Sequence, residues 1–168
     1  MMNRVLAFLL ICMGYVALAQ NQPKFEIGDT LPNFFFKGNF KKPYYLADLK
    51  GSYVMIIFWA SWNPKSRELQ QEMVAPYLKF KDKKFKKGRK FYMISVSIDD
   101  SKKLWELALK KDNIPWTYHS CDQMVWKSAL VESCRVFTIP FNYLLNSEGI
   151  IVAKNINGQD LERLLYGY

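Results

Sequence analysis

Two continuous apolar runs, Tyr53 to Trp59 and Phe91 to Ile98, are long enough for strands and lack the alternation of a half-exposed sheet, so both read as strands covered on two faces. Between them, Pro64 suits the first turn of a helix that carries Leu69, Met73 and Tyr77 at four-residue spacing, with Pro76 expected to kink it. After the second run, Asp99-Asp100-Ser101 supplies capping oxygens for an amphipathic helix with Leu104, Trp105, Leu107 and Ala108. The pattern continues with a strand over Ile114 to Tyr118, a helix over Gln123 to Cys134 and a strand over Phe141 to Leu145. Asn146-Ser147-Glu148-Gly149 then turns the chain into Ile150 to Lys154, and a helix over Asp160 to Tyr166 closes it. Ahead of all this, Phe34-Phe35-Phe36 and Pro43-Tyr44-Tyr45-Leu46 flank Gly38-Asn39 and predict a small hairpin. Such an order implies an α/β fold: a central mixed sheet covered on both faces, with an N-terminal β-hairpin extension.

The first nineteen residues follow a different pattern. Arg4 is their only charge, Val5 to Val16 is apolar, and Ala17-Leu18-Ala19 fits a small-x-small cleavage site. Residues 1–19 are therefore expected to be a signal peptide and residues 20–168 one domain, exported to the periplasm, with membrane contact only through an uncleaved signal. The apolar stretch is short of the ~20 residues of a spanning helix, and Ile11 before Cys12 does not fit a lipid-attachment signal. Only Cys121 and Cys134 follow Gln20, too few for a disulfide-stapled scaffold. In 168 residues that are 50% apolar and 16% aromatic, the core must carry stability. The net charge of +9 invites a polyanion reading, but eight of the twelve residues from Lys79 to Lys90 are Lys or Arg. That run reads as a solvated helix end and loop with Phe80 and Phe85 turned inward, so no nucleic acid is expected.

Several ordered strings resemble the thioredoxin superfamily, and within it the exported TlpA/ResA-like thiol–disulfide proteins. They are Ile27-Gly28-Asp29-Thr30-Leu31-Pro32-Asn33-Phe34, Leu46-Ala47-Asp48-Leu49-Lys50-Gly51, Phe58-Trp59-Ala60-Ser61-Trp62, Ile139-Pro140 and Asn146-Ser147-Glu148-Gly149-Ile150-Ile151. The resemblance implies a thioredoxin fold, with Ile139-Pro140 as a cis-proline loop opposite the active site. It also implies a Cys-x-x-Cys pair where this chain has Asn63-Pro64-Lys65-Ser66. The family's chemistry needs a low-pKa thiolate at a helix N-terminus and a second thiol to resolve the mixed disulfide. An asparagine amide is no nucleophile, and a serine hydroxyl needs an adjacent base; the resemblance sets His119 at the end of a different strand. The buried carboxylate of thioredoxins themselves is replaced by Ile57, and no Pro-x-x-x-Thr-x-x-Cys string offers a peroxidatic thiolate.

Without sulfur at the motif, no catalytic residue is assigned. The site expected is a binding groove of Trp62, Asn63, Pro64, Ser66, Ile139 and Pro140, taking an extended peptide or protein partner; no cofactor and no metal are expected. Two other readings stay open. One is a thiol oxidoreductase using Cys121 or Cys134, and the other a fold kept for an unrelated role, with Trp62 merely capping the core. Against the first, a helix from Gln123 to Cys134 rises ~1.5 Å per residue and would hold the two sulfurs roughly 16 Å apart, beyond the ~7 Å that a disulfide spans between Cα atoms.

Overall fold

The computed structural model describes residues 23–38 and 44–168. The signal-peptide reading, Cys12, the mature start near Gln20 and Pro43 lie outside them.

Seven strands and four α-helices follow one another: β1 (Phe35–Phe36), β2 (Tyr44–Tyr45), β3 (Tyr53–Trp59), α1 (Pro64–Phe80), β4 (Phe91–Ser97), α2 (Lys102–Lys111), β5 (Tyr118–Cys121), α3 (Ala129–Cys134), β6 (Phe141–Leu145), β7 (Ile151–Lys154) and α4 (Gly158–Tyr166). β1 and β2 pair as the small hairpin. The main sheet has the order β5-β4-β3-β6-β7, with β3, β4 and β5 parallel and β6 and β7 antiparallel. β3 is buried along its whole length, as its unbroken apolar run requires.

Alternate residues of β3 feed two cores. Val54, Ile56 and Phe58 pack with the hairpin's Phe36 and Tyr44 and with Leu130, Val131 and Cys134 of α3. Met55, Ile57 and Trp59 face Met73 and Phe80 of α1, Trp105 of α2, and Leu161 and Leu165 of α4. In α2 the buried side chains are Trp105, Ala108 and Leu109, while Leu104 and Leu107 are exposed.

Two expected elements are corrected. The fifth strand is Tyr118–Cys121 rather than Ile114 to Tyr118. Pro115 has no N–H for a ladder, and Trp116 turns inward to donate to Ser95 Oγ at 2.7 Å. The helix expected over Gln123 to Cys134 is a single 3-10 turn, Val125–Lys127, followed by the six-residue α3. Gln123 and Val125 both hold positive φ, which no continuous helix allows. As expected, Pro76 lies inside α1, which runs on to Phe80.

Candidate functional site

The chain leaving β3 turns into α1 through Ala60-Ser61-Trp62-Asn63, and this turn is tied down from a neighbouring strand. Asp99, just past the end of β4, is buried, and its carboxylate accepts from the Ser61 N–H at 2.9 Å and the Ser61 hydroxyl at 2.6 Å. The Ser97 hydroxyl also donates to it and in turn accepts the Asp99 N–H at 2.9 Å. A carboxylate satisfied by this many donors anchors the turn rather than presenting a charge to solvent. Of the capping run Asp99-Asp100-Ser101, Ser101 caps α2, its hydroxyl accepting from Leu104 N–H at 3.4 Å, while Asp99 turns to Ser61. The only sequence signal for Asp99's actual role is an acid directly after a buried strand that lies parallel to β3.

Asn63 is the N-cap of α1, with Pro64 in the first turn. Its side-chain oxygen accepts the Ser66 N–H at 2.9 Å and its carbonyl accepts the Arg67 N–H at 3.2 Å. Ser66 is fully buried and its hydroxyl has no hydrogen-bond partner among the described residues. No base is therefore in place to activate it.

Trp62 is 57% exposed. It borders a depression of about 270 Å³ together with Ser61, Pro64, Arg67, Gln71 and Asp112. The far wall is built: Arg67 Nε donates to Asp112 Oδ2 at 2.7 Å, its Nη2 donates to the other carboxylate oxygen, and Gln71 donates to the Asp112 carbonyl at 2.7 Å. Arg67 is thus spent on a bidentate ion pair.

The Ile139–Pro140 peptide bond is cis, and both residues are half-buried. They enter β6 at Phe141, which pairs antiparallel with Phe58. The loop before β6 and the turn after β3 therefore emerge at the same end of the sheet. Of the expected groove residues, Trp62 and Pro64 line the depression, which Ile139 and Pro140 do not; those two share only the end of the sheet with it, and Ser66 is fully buried rather than part of an open surface.

The two cysteines lie elsewhere. Both are free and buried. Cys121 belongs to the core under α1 and α2, and Cys134 to the core under α3 and the hairpin, so the sheet itself stands between them. The helix length invoked from sequence is not what separates them. Burial pushes the Cys121 thiol above its usual range and the Cys134 thiol up to about 12, the reverse of what a reactive thiolate needs. His119 is on β5, buried beside Trp116, and burial lowers its pKa to about 4. It is a neutral core imidazole.

This geometry has known counterparts. A family model described as thioredoxin-like matches residues 51–151. The thiol-disulfide oxidoreductase ResA of Bacillus subtilis is 26% identical over 170 residues, spanning 98% of this chain and 87% of ResA. Among solved structures, the thioredoxin domain of a thiol-disulfide oxidoreductase from Bacteroides vulgatus superposes with a TM-score of 0.75 at 26% identity, covering 86% of this chain and 98% of that one. The C-terminal domain of a thiol-disulfide oxidoreductase from Bacteroides thetaiotaomicron gives 0.72 at 29% identity, covering 84% and 95%. With the sheet order, the helix-capping turn and the family match in agreement, the chain belongs to the thioredoxin-like family, among relatives named thiol-disulfide oxidoreductases.

Proposed function

We propose that this chain is a thioredoxin-like protein of the bacterial cell envelope that does not exchange thiols at the start of α1 and instead holds an extended peptide between Trp62–Pro64 and Ile139–Pro140. The observation that carries this reading is the side-chain bond of Asn63 to the Ser66 N–H: half-buried Asn63 and buried Ser66, neither with sulfur, stand at the turn where the resemblance expects a dithiol. Binding then draws on the exposed Trp62 face and on loop backbone at the end of the sheet. The export reading of residues 1–19 supports the envelope location. Thiol exchange through Cys121 or Cys134 is disfavoured by their burial on opposite faces of the sheet and by their raised pKa values.

Two measurements test the proposal together. Insulin reduction with dithiothreitol as electron source should stay at background; turnover abolished by Cys121→Ser or Cys134→Ser would transfer the function to those thiols. A library of extended peptides should give saturable binding that Trp62→Ala reduces about tenfold or more, as loss of an exposed aromatic anchor does. Binding indifferent to Trp62→Ala would remove the groove from the proposal.

A further inference from the structure

The loop from α1 to β4 carries the chain's densest charge, and the groove makes no use of it. It is held in one shape from below. Phe80 and Phe85 are buried and stack with ring centroids 6.3 Å apart. Phe85 lies 4.9 Å from the ring of Tyr53, which is stacked at 4.6 Å on Tyr168. Gly88 fits against that same tyrosine, where a Cβ would come within 2.8 Å of the ring. The Arg89 N–H donates to the Gly51 carbonyl at 2.7 Å and the Lys86 N–H to the Tyr168 carbonyl at 3.3 Å.

Anchored this way, the loop turns its cations outward. Lys79 is paired with Glu162 and Lys81 with Asp82. Lys83, Lys84, Lys86, Lys87, Arg89 and Lys90 form no ion pair among the described residues, and all six are exposed. Glu148 is a further acid near Tyr53, so the local balance stays strongly positive. The rim is apolar and amphipathic: Leu78 and Tyr166 are exposed, and the Lys83 ammonium lies 4.9 Å from the centre of the Tyr166 ring.

We infer that this face docks on an anionic bilayer surface. Six unpaired cations on a preshaped loop, bordered by an aliphatic and an aromatic side chain that suit the headgroup boundary, complement a plane of lipid phosphates. The placement adds a consequence that rests on the groove reading. The loop leads into Phe91, the partner of Tyr53 at the start of β3, whereas Trp62 follows the other end of that seven-residue strand. The two sites are therefore about 20 Å apart at opposite ends of the sheet, and a bilayer on the loop leaves the groove facing away from the lipid.

Sedimentation of the full chain with vesicles tests the inference. Vesicles containing about one third phosphatidylglycerol should bind it at about 0.1 M salt, and about 0.5 M salt should release it. Pure phosphatidylcholine vesicles control for any apolar affinity of residues 1–22. The triple variant Lys83→Glu, Lys86→Glu, Lys87→Glu should lower the partition into anionic vesicles by at least about tenfold. An equal charge change elsewhere, at Lys103, Lys110 and Lys127, should lower it much less. Lys→Gln at positions 83, 86 and 87 gives a milder version with the same ranking, and a melting curve shows that each variant is folded. Equal loss from the two triple variants, equal binding to neutral vesicles, or salt-sensitive binding to duplex DNA or polyglutamate without binding to anionic vesicles would each overturn the inference. Failure of the peptide assay leaves it untouched.

Discussion

The side-chain oxygen of Asn63 accepts the backbone N–H of Ser66 at 2.9 Å. This one bond closes the first turn of α1 at the two residues where the resemblance implies a dithiol. The same backbone donor that would stabilise a thiolate at residue 63 is engaged by a neutral amide oxygen. Here the helix N-terminus is capped by an amide oxygen.

Removing that cap should therefore cost stability. Asn63→Ala is expected to destabilise the fold by about 1 kcal/mol, while Asn63→Asp, which preserves the acceptor at a positive helix end, should cost little or nothing. Urea denaturation followed by far-UV circular dichroism measures both. Equal midpoints for Asn63→Ala and the native chain would mean that the cap carries no stability.

His119 makes stability depend on pH in a calculable direction. Burial lowers its pKa to about 4 in the folded chain, opposed by a hydrogen bond to the Trp116 backbone, against 6.5 as the ordinary value. Between those values the unfolded chain takes up a proton that the folded chain refuses. Stability is thus fully present above about pH 6.5 and falls as pH drops towards about 4, by up to about 3 kcal/mol. His119→Gln should lose this part of the slope, up to about 1.4 kcal/mol per pH unit. An unchanged slope in the variant would assign the acid sensitivity to carboxylates instead.

Legibility from sequence tracked how local the determining interaction is. β3 coincides with the Tyr53 to Trp59 run, and α1 begins at Pro64, because a doubly buried strand and a first-turn proline are written within a few residues. Ile114-Pro115-Trp116 misled because an apolar run looks like a strand until Trp116 is seen to bond Ser95, a partner 21 residues away. The run Asp99-Asp100-Ser101 announces the cap that Ser101 provides but not the anchoring role of Asp99, whose contact with Ser61 spans 38 residues. The hand-over from Gln123 to α3 rests on positive φ at Gln123 and Val125, and a β-branched residue gives no warning of that.

Pro76 and Gly158 make a second non-local pair. Proline at 76 withholds the N–H that the Glu72 carbonyl would otherwise receive within α1. The first residue of α4, Gly158, lies against that carbonyl so closely that a Cβ would fall 2.3 Å from its oxygen and 2.9 Å from its carbon. Both atoms are backbone and cannot swing aside. Gly158→Ala should push α4 off α1 at a cost of about 1–3 kcal/mol, despite alanine's better helix propensity. A denaturation midpoint at or above that of the native chain would show that the two helices adjust freely.

Introducing sulfur at residues 63 and 66 tests whether the surrounding turn suits a dithiol. In the double variant Asn63→Cys, Ser66→Cys, the first thiol stands at the start of α1, where the Ser66 N–H now bound by Asn63 Oδ1 becomes free to donate to a thiolate. Lys65 adds a nearby positive charge, so the thiol at 63 should titrate clearly below the ordinary ~8.5. Residue 66 is three positions on and on the same helix face, within reach of a disulfide. Its side chain is fully buried, which suits a resolving thiol shielded from solvent. The turn itself should hold, because the Asp99 carboxylate grips Ser61 from just past the end of β4, independently of residue 63. The lost amide cap should cost about 1 kcal/mol in the reduced protein. Thiol titration against pH with insulin reduction alongside provides the readout: a depressed pKa with turnover is expected. A pKa near ~8.5 without turnover would show that the turn does not offer the surroundings a redox dithiol needs.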